Sequence, residues 1–111
     1  MNKQMKAKWV AALRSGEYRQ TTGCLVDGRG HCCLGVLCDV MGMPQNQDGA
    51  FVNEKGLELG NLGSSYDEEA NLSESGGLNQ VLCEDARLEL AQMNDKGKTF
   101  DEIADKIEEN L

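Results

Sequence analysis

His31-Cys32-Cys33-Leu34-Gly35-Val36-Leu37-Cys38-Asp39-Val40-Met41-Gly42, residues 31–42, contains one formally charged side chain, Asp39, in an otherwise apolar run. Apolar residues cover nearly every side of the helix that Cys33 to Met41 would form, and Gly42 followed by Pro44 closes it. A helix that is apolar all round is a buried one. Residues 33–41 therefore predict a short buried helix.

On the N-terminal side, Met5, Trp9, Val10, Ala12 and Leu13 recur at helical spacing, with Lys3, Lys6, Lys8 and Arg14 elsewhere and Gly16 as a natural stop. This pattern predicts an amphipathic helix over residues 2–15. Between the two helices, Glu17 to Val26 carries Tyr18, Thr21, Thr22 and Val26, and Asp27-Gly28-Arg29-Gly30 supplies the residues that a tight reversal favours. A β-hairpin returning at His31 to Cys33 follows. On the C-terminal side, Leu82, Ala86, Leu90 and Met93 predict a helix over 78–93, ended by the turn Asn94-Asp95-Lys96-Gly97. Thr99 and Glu102 have the spacing of a capping box ahead of a stripe of Phe100, Ile103, Ala104, Ile107 and Leu111. The expected fold is α+β, one domain over 1–111: an N-terminal helix, a β-hairpin, a short buried helix and two C-terminal helices. Residues 43–77, rich in Gly, Asn, Asp and Ser, are expected to be irregular and to cover a surface or a ligand.

With 111 residues and 40% hydrophobic composition, the chain is large enough for one modest core. Only five aromatic residues are present, so Trp9, Tyr18, Phe51, Tyr66 and Phe100 must each anchor contact area or recognise something. The basic start has neither the apolar run nor the cleavage site of an export signal, and no stretch reaches the roughly 20 apolar residues of a membrane span. A cytoplasmic setting is expected, with the five cysteines as free thiols.

The net charge of −8 is unevenly placed. Residues 1–38 hold Lys3, Lys6, Lys8, Arg14, Arg19 and Arg29 against Glu17 and Asp27, a net of +4, so residues 39–111 carry −12. Long nucleic acid needs a broad basic footprint that this chain lacks, whereas a compact basic island suits a small anion. Arg14, Tyr18, Arg19, Gln20 and Thr22, with Arg29 nearby, are the groups that grip a phosphate and a base together: guanidiniums, a stacking ring, an amide and a hydroxyl. A polar connection between helix and strand explains the same residues.

Catalysis has weaker support. His31, the single histidine, adjoins Cys32, and in an extended segment neighbours point to opposite faces, so the two form no local dyad. No phosphate-cradling glycine loop is present, and Asp67-Glu68-Glu69, Glu84-Asp85 and Glu108-Glu109 read as solvated faces. The cysteines lack the C-x-x-C spacing of a zinc site and sit among core residues, so no metal or other cofactor is expected, with a small zinc-stabilised module as the lesser alternative.

At WVAALRSGEYRQ, HCCLGVLCDV and LAQMNDKGKTFDEIADKIEENL the chain resembles a family of small bacteriophage proteins. The resemblance covers roughly half the chain, and its CCLGVLCD block is specific, while residues 43–77 take no part in it. That family is similar to the anti-CBASS sponges, phage oligomers that sequester cyclic dinucleotide immune signals without cleaving them. The resemblance implies a non-enzymatic, oligomeric anti-defence protein in the host cytoplasm. The six candidate residues come from their chemistry and not from the resemblance. An acidic protein with four arginines has little positive charge for a doubly charged ligand, so the site is expected to draw on more than one subunit. The competing reading is an acidic protein that docks on and inhibits a host factor.

Overall fold

The computed structural model describes residues 3–22, 25–47, 49–52 and 84–110. The elements run α1 (Lys3–Arg14), β1 (Val26–Asp27), β2 (Gly30–His31), α2 (Cys33–Val40), α3 (Glu84–Asp95) and α4 (Phe100–Asn110). The α+β order read from the sequence is the observed one. Residues 78–83 of the expected third helix, Tyr66, Cys24, Cys83, Leu111 and most of the expected covering segment lie outside the described residues.

Helix α2 sits at the centre, and Cys33, Leu34, Gly35, Val36, Leu37 and Cys38 are all buried in it. Its first turn is capped by Cys32, whose backbone is extended and whose Sγ accepts from the Gly35 N–H at 3.4 Å. Its end is a Schellman motif: Met43 N–H donates to the Cys38 carbonyl and Gly42 N–H to that of Asp39, with Gly42 at a φ of 75°. Helix α3 closes the same way, through Lys98 N–H to Met93 O and Gly97 N–H to Asn94 O. At the start of α4 the Thr99 hydroxyl accepts from the Glu102 N–H at 3.2 Å, which forms the Thr99 half of the capping box.

Trp9, Val10 and Leu13 from α1, Leu90 and Ala91 from α3, and Phe100, Ile103, Ala104 and Ile107 from α4 join α2 in one core cluster. Met43 and Phe51 enter it as well, so part of the glycine-rich segment is core and not cover. The indole N–H of Trp9, fully buried, donates to the Cys33 carbonyl at 2.9 Å and ties α1 to the first turn of α2.

The hairpin is smaller than the sequence suggested, and its pairing differs. Val26 faces His31 and Asp27 faces Gly30 in an antiparallel pair of two residues each, with Gly28 and Arg29 at the turn. Val26, at the end of the segment expected as the first strand, is in β1, while residues 19–21 of that segment lie on the other side of β2 in a parallel bridge, Gln20 against His31. Thr21 N–H donates to His31 O and His31 N–H to Arg19 O, both at 2.8 Å. Local sequence marks the Asp27 to Gly30 reversal, but which side of β2 residues 19–21 take depends on where α1 leaves the chain, and that is set by packing.

Among the described residues, no helix is long and apolar enough to cross a membrane.

Candidate functional site

The six candidate residues separate into two groups. Arg14 does not join the others: its guanidinium lies 2.6 Å from Asp105, 3.4 Å from Glu108 and 3.8 Å from Asp101, carboxylates spaced along one face of α4. The hydrogen bond to Asp105 raises its pKa further, with Glu108 and Asp101 adding to the effect. Helices α1 and α4 pack side by side and place Arg14, expected to meet a ligand phosphate, among three carboxylates. Tyr18 is likewise engaged, donating its hydroxyl proton to Asp39 at the end of α2. That bond, with burial behind it, pushes the phenol up to about 12.

Gln20 points inward. Its Nε2 donates to the Lys98 carbonyl at 2.6 Å and to Asn94 Oδ1 at 2.9 Å. Asn94, which the sequence suggested as a turn residue, is fully buried in the last turn of α3. Its Oδ1 accepts from the Cys33 N–H at 3.2 Å and its Nδ2 donates to the Thr21 carbonyl at 2.7 Å. One side chain thus joins the start of α2, the 19–21 segment and α3. The Gln20 amide, expected to read polar edges of a base, has its Nε2 committed to this network. A buried asparagine before a glycine turn has no local signature that separates it from a turn asparagine.

Arg19, Thr22 and Arg29 remain at the surface. Asp27 organises the hairpin turn: Oδ1 accepts from the Arg29 and Gly30 N–H groups at 2.7 and 3.1 Å, and Oδ2 accepts from the Thr21 hydroxyl at 3.1 Å and from Arg29 Nη2 at 3.0 Å. Arg19 and Thr21 are two apart in an extended segment and so share a face. Arg19 also packs its backbone directly on Gly30, where an added Cβ would lie 2.0 Å from Arg19 O and 3.1 Å from Arg19 Cβ. Arg19 and Arg29 are thus both exposed at the hairpin, and Asp27 pairs with Arg29. Arg29 is 76% exposed, and Arg19 has no carboxylate partner among the described residues.

His31 sits behind this pair, edge-on to Tyr18 with ring centroids 5.1 Å apart and tilted against Phe51 at 6.0 Å. Burial lowers its pKa, with Asp39 and Asp27 opposing the shift. The folded chain favours neutral histidine, so the unfolded chain takes up the proton first as pH falls below about 6.5. Stability from this group is complete above that value and is lost on acidification towards the lower folded pKa. The melting midpoint should fall between about pH 6.5 and pH 5, a window above most carboxylate titrations. His31→Gln should flatten that slope, which thermal melts across the range will measure.

The described cysteines, Cys32, Cys33 and Cys38, have structural employment. Cys33 donates weakly to Leu90 O, and burial pushes the thiols of Cys33 and Cys38 well up, away from the thiolate that nucleophilic attack or zinc ligation requires. Among the described residues, no group of three or more His, Cys, Asp or Glu side chains gathers as a metal site would.

A separate groove of about 340 Å³ runs along the outer side of α1, lined by Lys3, Lys6, Ala7, Val10, Ala11 and Glu108. The sequence reading did not single it out, since Ala7 and Ala11 signal nothing until α4 lies beside them.

No curated protein and no solved structure matches the chain. A family model described as "Domain of unknown function (DUF8296)" matches residues 1–111, and the chain belongs to that family.

Proposed function

We propose that this protein acts by binding, without catalysis, and that its ligand is a compact anion of nucleotide type held at the hairpin by Arg19 and Arg29. What supports the reading is that Arg29 is 76% exposed beside Asp27 and that Arg19 is exposed with its backbone packed on Gly30 of the same hairpin, on a molecule of net charge −8. Guanidiniums suit phosphate because their planar donors match its oxygens. The buried, high-pKa thiols of Cys33 and Cys38 are not activated nucleophiles, which supports binding over turnover. In the role that the phage resemblance implies, the protein sequesters a nucleotide immune signal such as a cyclic dinucleotide in the host cytoplasm and does not consume it.

A thermal-shift series with mono-, di- and cyclic nucleotides tests this. A ligand bound only to the native state at 100 times its Kd adds about 2.7 kcal/mol. The midpoint should rise by several degrees with the correct nucleotide, which should be recovered intact after denaturation. Arg19→Glu with Arg29→Glu should abolish the shift, whereas Arg14→Gln should keep it. Absence of a shift with every nucleotide removes the reading.

A second reading has its own observation. Asp101, Asp105 and Glu108 are half to three-quarters exposed along α4 with one arginine among them, and Glu102 and Glu109 are exposed beside them. This ridge suits docking on a basic surface of a host factor. A partner whose capture is lost with Glu102→Lys and Glu109→Lys, but kept with Arg19→Glu, would favour that reading over nucleotide binding.

A further inference from the structure

The groove along α1 lies between two helices of opposite charge. Helix α1 carries Lys3, Lys6, Lys8 and Arg14 and no carboxylate, and α4 carries Asp101, Glu102, Asp105, Glu108 and Glu109 against one lysine, Lys106. Contacts run in opposite order along the pair: Lys6 Nζ donates to the Glu108 carbonyl near the end of α4, and Arg14 meets Asp101 and Asp105 nearer its start. Helices α1 and α4 are thus antiparallel neighbours. Their positive and negative ridges are separated by a floor of Ala7, Val10 and Ala11, where the exposed alanines would let another helix approach closely. Lys3 and Lys8 are exposed and have no partner among the described residues.

We propose that this face pairs with the same face of a second copy, α1 of each chain lying over α4 of the other. A two-fold contact must be self-complementary. Two stackings of such a helix pair on its own copy are available. An axis across the helices sets α1 on α1 and α4 on α4, bringing lysines against lysines and carboxylates against carboxylates. An axis along the helices sets α1 on α4 twice, and each close pair of opposite charges replaces a repulsive one. Charge selects the second. In that arrangement Lys3 of one copy faces the half of α4 that holds Glu109 of the other, and the groove is closed from above.

The selected axis has a consequence for the hairpin. Rotation about a line parallel to the helices leaves position along them unchanged, so both copies present the end that carries Arg14 and the following residues on the same side of the dimer. Arg19 and Arg29 then occur twice at one end. This part rests on the nucleotide reading: two guanidinium pairs related by a two-fold axis fit a ligand with two phosphates, such as a cyclic dinucleotide, better than a mononucleotide. It also meets the shortage of positive charge in one chain.

Sedimentation velocity without nucleotide tests the pairing independently of any ligand. The wild-type chain should shift with concentration from 12.1 kDa towards twice that mass. Ala11→Glu, on an exposed helical position, should keep the far-ultraviolet helical signal and weaken self-association by roughly tenfold or more, about 1.4 kcal/mol. Lys3→Glu should weaken it similarly, and Lys3→Glu combined with Glu109→Lys should restore it, a rescue that loss of fold does not produce. A chain that stays at 12.1 kDa at every concentration, or a dimer indifferent to Ala11→Glu, overturns the proposal.

Discussion

Gly35→Ala should be among the most damaging single substitutions in the chain, lowering stability by about 3 kcal/mol or more. An added Cβ would lie 1.8 Å from the Leu25 carbonyl oxygen and 2.7 Å from its carbon, both backbone atoms that no rotamer change can move aside. The contact cannot open alone, because Leu25 O also accepts from the Cys32 N–H at 3.0 Å and Leu25 is itself buried. Separating α2 from residue 25 would also disturb the Cys32 cap and the register of β2. The helix propensity gained by alanine, about 1 kcal/mol, is smaller than this cost. The expected drop in melting midpoint is roughly 10 °C. Gly28→Ala, where a Cβ meets nothing within 4 Å, is the matched control and should melt near the wild-type value. Equal melting of both variants and wild type would show that the close approach of α2 to residue 25 is not present in solution.

Asn94→Ala should be comparably severe for a different reason. Its side chain makes three hydrogen bonds in a site with no exposure, and truncation leaves the Cys33 N–H and the Thr21 carbonyl without that partner. A buried group left unsatisfied costs about 1–3 kcal/mol, so the two together with the vacated volume give about 3–5 kcal/mol. Asn94→Asp is the sharper variant. A carboxylate still accepts from Cys33 N–H and Gln20 Nε2, but it offers no donor to Thr21 O, sets anion against carbonyl, and must be buried either charged or protonated. Urea unfolding should therefore show Asn94→Asp at least as unstable as Asn94→Ala at neutral pH, and relatively less so as the pH falls towards the carboxylate range. A midpoint for Asn94→Asp equal to wild type would mean that water reaches the site.

These two residues show how far local sequence carries. Helices α1, α2 and α4 were legible because each rests on a period that the chain repeats: Trp9 with Leu13, the apolar run from Cys33, and Phe100, Ile103 and Ile107. The caps at Thr99, Gly42 and Gly97 were legible because they depend on residues within one turn of one another. The candidate site was legible in its chemistry and not in its geometry. Arg14, Tyr18, Arg19, Gln20 and Arg29 have the same polar character on paper, yet the fold sends Arg14 to α4, Tyr18 to Asp39 and Gln20 to Asn94, and leaves Arg19 and Arg29 exposed at the hairpin.

By itself, then, the sequence determined the class of the fold, the identity of its buried helix and the sign of charge along each segment, all of which follow from neighbours a few residues apart. Only the tertiary structure decided which cations stay available, which asparagine is a staple, and that β2 is flanked on both sides. Those outcomes depend on contacts spanning from about ten to a hundred residues, such as Arg14 with Asp105 or Thr21 with Asn94. At that separation a polar side chain pairs with whatever packing brings within 3 Å, and no periodic pattern in the chain encodes it.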